Sequence, residues 1–177
     1  MSSGGQAVWT APVPERLDGP LTGPDRPILE AYLNWQRTTL LNICTGLTGE
    51  QLAMRPIPVS SLSLLGLVRH RAEVERIWFR QRSAGEDVEL LYDPALGKRA
   101  DFDNIDPAEA EKDFDRLRRE WRLADQAVAE MTFDDTFALA GETYSLRMVY
   151  VHMIGEYSRH NGHADLLREA IDGTTAR

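Results

Sequence analysis

The sequence predicts an all-α fold, a four-helix bundle with a long crossover between its second and third helices. Three observations carry this. Four stretches repeat apolar residues at helical spacing, Pro- and Gly-bearing breaks separate them, and the one other patterned segment is too short for more than a hairpin.

Residues 1–24 are rich in Gly and Pro and read as an N-terminal arm. Trp9 could dock on the domain, though a disordered end is the plainer expectation. The first helix starts near Asp25, with Pro27 in a first turn where its missing N–H costs nothing. Leu29, Leu33, Gln36, Leu40, Ile43 and Leu47 follow at helical spacing, so Gln36 interrupts an apolar face. Arg55-Pro56-Ile57-Pro58 breaks that unit, and Ser60 or Ser61 can cap a second helix running to about Arg82.

Residues 83–105 show scattered Gly, Pro and Asp with no sustained period, as expected of a long ordered crossover. The third helix begins at Asp106-Pro107. Ala110, Phe114, Leu117, Trp121, Ala124 and Val128 then alternate steps of four and three, the pattern of a bundle seam. Phe133 to Tyr144 pivot at Gly141 as a short hairpin or extended link. The fourth helix runs from about Ser145 to Ile171 and stops at Asp172-Gly173. The expected organisation is therefore an arm over 1–24, a bundle domain over 25–173 and a tail over 174–177.

Composition narrows the function. A chain of 177 residues is long enough for one full core. A net charge of −8 disfavours nucleic acid, whose phosphates require clustered positive charge. No apolar run approaches bilayer length, and the first residues lack the basic start and greasy centre of a signal peptide. The single Cys44, in the apolar run LLNICTGL, forms no internal disulfide and fits a small buried apolar residue better than a nucleophile. A cytoplasmic protein, monomer or homodimer, is expected. Its basic residues are 18 Arg and 2 Lys, a bias typical of a GC-rich genome.

The chemistry-bearing residues stand out against this background. With Val149 at zero on the fourth helix, Glu156 falls near about −20° and His160 near about +20°. Both lie at the centre of a stripe that includes Met153, Ala164 and Leu167. Their Cβ atoms are roughly 5–6 Å apart at this spacing, close enough to chelate one ion. On the second helix, His70 shares a face with Ser63, Gly66, Leu67, Val74 and Ile77, where the small Ser63 and Gly66 leave room. Burying two imidazoles and a carboxylate is costly, and a metal ion compensates it. The bland alternative is a set of hydrogen-bonded core residues, with Glu156 paired to either imidazole. His152 sits off the stripe's centre and suits a supporting role. His163, on the other flank, reads as a surface residue or a pocket-wall donor.

There is no H-E-x-x-H, no paired CxxC, no Gly-rich phosphate loop and no Glu-x-x-His pair for a di-iron centre. One mononuclear site held by His70, Glu156 and His160 is the most these residues support.

The stretches PVSSLSLLGLVRHRAEVERIWFR and EYSRHNGHADLLREAIDG, with a weaker match in LTGPDRPILEAYLNWQRTTLL, resemble the DinB-like superfamily of metal-binding bundles. The resemblance is closest to the actinobacterial branch that includes mycothiol-dependent transferases. It implies an up-down-down-up bundle whose ligands are the helix-2 histidine, here His70, and a pair one turn apart on helix 4, here Glu156 and His160. Two positions depart from the family pattern: Arg71 stands where leucine is common, and Gln36 where a histidine is common.

The leading expectation is a zinc-dependent S-transferase that joins a low-molecular-weight thiol such as mycothiol to a small electrophile. Two His and one carboxylate leave a coordination position open, as in catalytic zinc sites. Fe2+ or Ni2+ are the other ions to consider, since the same donors form the facial triad of oxygen-using iron enzymes. A metal-dependent hydrolase or isomerase and a non-catalytic metal-binding stress-response protein are the alternatives. Arg159, beside His160, and the crossover residues Tyr92 and Arg99 are candidates for gripping polar groups of a thiol or substrate, with a solvated surface role favoured for Arg99.

Overall fold

The computed structural model describes residues 8–15, 18–97 and 99–175, so parts of the expected arm and tail (1–7, 16–17, 176–177) lie outside the described residues. The described chain is mostly helical with one two-stranded sheet. Among the described residues, no helix is long and apolar enough to cross a membrane.

Helix α1 spans Asp25–Cys44, ending a turn earlier than its apolar repeat suggests. Gly46 adopts φ 79° and turns the chain, while Leu47 stays buried beyond the helix end. That turn also captures the arm: Ala11 N–H donates to Leu47 O at 2.9 Å and Gly46 N–H to Ala11 O at 2.8 Å. Trp9 packs edge-on against Phe114 at 5.4 Å, so this part of the arm is docked rather than frayed. The short helix α2, Gly49–Ala53, is closed by a capping box in which the Thr48 and Gln51 side chains each accept from the other's backbone N–H.

Helix α3 covers Leu64–Glu75 and is capped by Ser63, not by Ser60 or Ser61; the Ser63 hydroxyl accepts from Gly66 N–H at 3.1 Å. It continues over Arg76–Ser83 as a π-helix, where the Arg76 and Arg80 guanidiniums both reach the buried Glu120 of α5. The crossover is not featureless. It contains a 3-10 turn at Pro94–Leu96 and helix α4, Ala100–Asp103. A second 3-10 element, Pro107–Glu109, leads into α5, Ala110–Ala127.

Strands β1 (Thr136–Leu139) and β2 (Glu142–Ser145) form the expected hairpin, with Leu139 opposite Glu142 across a turn at Ala140-Gly141. Ser145 then caps α6, Leu146–Asp172, which ends at Gly173 with φ 77°. Helix α1 packs on α6, α3 packs on α5, and α3 also meets α6. Leu40, Leu67, Phe114, Met153 and Ala164 are fully buried between them. Each large apolar side chain so buried stabilises the fold by roughly 1.5–3 kcal/mol.

A buried polar network also crosses this core. Arg37 of α1 donates to both carboxylate oxygens of Glu75 on α3, at 2.8 and 2.7 Å. Tyr157 of α6 donates to Glu75 at 2.9 Å and accepts from Trp121 of α5 at 2.8 Å. Gln36, the polar break in the α1 face, accepts from Asn161 at 2.9 Å and so joins α1 to α6. The apolar repeat of α1 is interrupted because its polar residues are partnered across helices.

Candidate metal centre

Helix pitch fixes Glu156 and His160 one turn apart on α6, and the α3–α6 contact brings His70 to face them. One ligand atom from each of His70, Glu156 and His160 lies within 4.8 Å of the others. Among the described residues this is the one such cluster of His, Cys, Asp or Glu. His160 Nε2 stands 3.7 Å from Glu156 Oε2, beyond a hydrogen bond, and the His70 and His160 rings meet at 5.2 Å in a T. The three side chains are each partly buried.

Residues adjacent to His70 in sequence set its orientation. Arg69 donates from Nε to Asp101 O at 2.8 Å and from Nη2 to Ala100 O at 3.1 Å, clamping α4 against α3. The Asp101 carboxylate thereby reaches His70 Nδ1 at 2.7 Å. A carboxylate offers only acceptors, so Nδ1 is the donor in this contact and Nε2 is the ring nitrogen left to face the cluster. This is the second-layer pairing common for imidazoles that hold metals.

Electrostatics act the same way on His160 and Glu156. Burial pushes the His160 imidazole down to about 3, with Arg71 and His70 adding to it and Glu156 opposing. It is neutral at pH 7 and its lone pair is free. Burial raises Glu156, but Arg71, His160 and His152 outweigh this and hold the carboxyl below its ordinary range. Arg71, wholly buried, donates to Glu156 Oε2 at 3.3 Å. Two imidazoles and one carboxylate form a donor set that fits zinc and leaves room for a further ligand.

A cavity of about 360 Å³ opens over the cluster, lined by His70, His160 and Asp101 together with Leu62, Phe102, Arg99 and His163. Arg99 is therefore a wall residue of this cavity, not merely a solvated one. Tyr92 is not at the cavity: it lies under Arg69 at 4.1 Å and accepts from Arg116 at 3.4 Å, bracing the crossover on α5. Arg159 is exposed on α6 and does not line the cavity. His163 stands 5.4 Å from the His160 ring, and its Nδ1 is buried without a partner among the described residues. His152 instead packs on Trp78 at 4.4 Å.

Gly66 corrects one expectation. The space beside it is filled from the crossover, since a Cβ there would stand 2.8 Å from Phe102 and 3.3 Å from Ile105. Its smallness admits α4 rather than a ligand. Cys44 is fully buried, and desolvation pushes its thiol up to about 12, which removes it as a nucleophile.

No curated protein and no solved structure matches the chain. A family model described as mycothiol-S-transferase does, over residues 28–173, a span that runs from the first turn of α1 past the end of α6 and holds all three clustered residues. The match covers well over half of the sequence, and the chain belongs to the mycothiol-S-transferase family, the branch its helix-2 and helix-4 segments resemble.

Proposed function

We propose that this protein is a metal-dependent S-transferase that joins mycothiol to a small electrophile. His70, Glu156 and His160 would hold one divalent ion, zinc by donor type. The observation that carries this reading is the convergence of their three ligand atoms within 4.8 Å beneath an open cavity. Family membership names the thiol. Zinc, when bound, supplies a Lewis acid that favours the deprotonated and nucleophilic form of a thiol.

The chain's own residues do the rest. Asp101 fixes the His70 tautomer, and Arg71 holds Glu156. Leu62 and Phe102 give the cavity apolar walls that exclude water, and Arg99 offers a cation to polar groups of either substrate. In the transfer the thiol sulfur forms a bond to the electrophilic carbon, the leaving group departs with the bonding pair, and the thiol proton is released. The buried Cys44 competes for neither substrate.

The same reading takes 25–173 as one domain, its long helices in the up-down-down-up order, and places it in the cytoplasm, where a small-molecule thiol stays reduced.

Elemental analysis of protein purified without added metal, followed by incubation with mycothiol and monochlorobimane, tests the proposal. The expected result is close to one zinc per chain and a thiol-dependent rate above background that is lost on chelation. Bound metal without a thiol-dependent rate would favour hydrolysis or a structural ion; no metal uptake at all would end the metal reading.

A further inference from the structure

Arg71 occupies a position that should be unfavourable. Its side chain is wholly buried, and among the described residues its guanidinium donates one hydrogen bond, to Glu156. Its Nε and Nη1 are sealed from water and have no partner there. The Tyr157 ring faces the guanidinium at 5.3 Å, which offsets little of the desolvation. The neighbouring buried charges are already balanced: Arg37 pairs with Glu75, and Arg71 with Glu156. A divalent ion on His70, Glu156 and His160 would thus have its charge offset only in part, by the Asp101 carboxylate beside His70, because Arg71 already balances Glu156 and the imidazoles bring none.

We propose that Arg71 makes the open position of this site selective for an anionic ligand, a thiolate rather than neutral water. The inference rests on the metal reading above and adds to it a reason for thiol chemistry over hydrolysis. Arg71 is a positioning residue: it touches the carboxylate ligand and acts on the exogenous group through the field of a permanent cation. Charges this close and this poorly solvated are only weakly screened.

Cobalt(II) serves as a visible probe of the site, azide as the anionic ligand and neutral imidazole, at a pH above its own titration, as the uncharged one. The parent and Arg71→Met are titrated with cobalt(II) alone and with each ligand. Methionine is unbranched and fills the space flexibly. In the parent, azide should tighten cobalt binding about tenfold or more, by linkage. Arg71→Met should bind cobalt more tightly than the parent and lose about tenfold of the azide gain. The imidazole gain should be the same in both proteins.

If Arg71→Met instead weakens cobalt binding and keeps the azide gain, Arg71 merely holds Glu156 in place and the proposal fails. Should that variant not fold, the parent decides: an azide effect no greater than twofold overturns the inference. A parent that takes up no cobalt at all sinks the metal reading itself, a result distinct from either.

Discussion

The carboxylate of Asp101 lies 2.7 Å from Nδ1 of His70, across the junction of α4 and α3. Because Arg69 clamps the backbone carbonyls at Ala100 and Asp101, this contact is built into the packing of the crossover. It fixes which nitrogen of His70 faces His160 and Glu156. Replacing Asp101 with Asn keeps the size but lets the amide present a donor to Nδ1, loosening the tautomer. Metal affinity should then fall about 10–100-fold, as for other partners of metal-holding imidazoles. Competition with a calibrated chelator measures it; an unchanged affinity would mean that Asp101 serves only the crossover.

The Arg37–Glu75 pair offers a prediction about stability. Arg37 is 2% exposed and Glu75 is fully buried, so neither can recover its hydration if the other is removed. Arg37→Met should destabilise the fold by about 3–5 kcal/mol, most of it from a stranded carboxylate. The double variant Arg37→Met with Glu75→Gln keeps an acceptor for the Tyr157 hydroxyl and removes the stranded charge. It should regain more than half of the loss. Urea unfolding of the two variants and the parent decides; equal loss in single and double variants would place the pair's role in packing instead.

How far this site is legible in the sequence depends on what fixes each contact. Glu156 and His160 are readable because helix pitch alone sets their separation. His70 is readable because the apolar face around it is clear. Asp101 is not, since the crossover also carries Glu86, Asp87, Glu89, Asp93 and Asp103, and no period selects among them. The choice is made by Arg69, thirty-odd positions away, through backbone carbonyls that no side-chain pattern records. Gly66 misleads for the same reason: its lack of a side chain looks like room, but Phe102 arrives from the crossover to fill it. Arg37 and Glu75 are charged residues on mixed helix faces, and their burial follows from helix packing rather than periodicity. The capping box of Thr48 and Gln51 is a readable signal, and with it the helix Gly49–Ala53.

The hairpin turn carries a local strain that can be relieved. Ala140 adopts φ 54°, in the left-handed region where a Cβ is unfavourable, and Gly141 follows at φ 86°. Both central residues of this two-residue turn have positive φ, which asparagine or glycine accept more easily. Ala140→Gly should stabilise the protein by about 0.5–1 kcal/mol, with part of the gain offset by the freer unfolded chain. The thermal midpoint measures it. A lower midpoint would show that the turn is not held in this geometry.

Acid unfolding should report on Glu120. Burial alone would raise its carboxyl, but hydrogen bonds from Arg76 at 2.7 and 3.1 Å and from Arg80 at 2.9 Å reverse this and hold it below its ordinary value. The folded state therefore gives up its proton more readily than the unfolded chain, whose glutamates titrate near about 4.3. The stabilisation is complete above that value and is lost as pH falls towards the folded-state value. Glu120→Gln cannot titrate and keeps one acceptor for the two guanidiniums. It should be less stable than the parent at pH 7, and the gap should narrow as pH drops from 5 to 3. Urea midpoints for both proteins across that window test the sign, and a gap that widens on acidification would show that Glu120 is held in its protonated form.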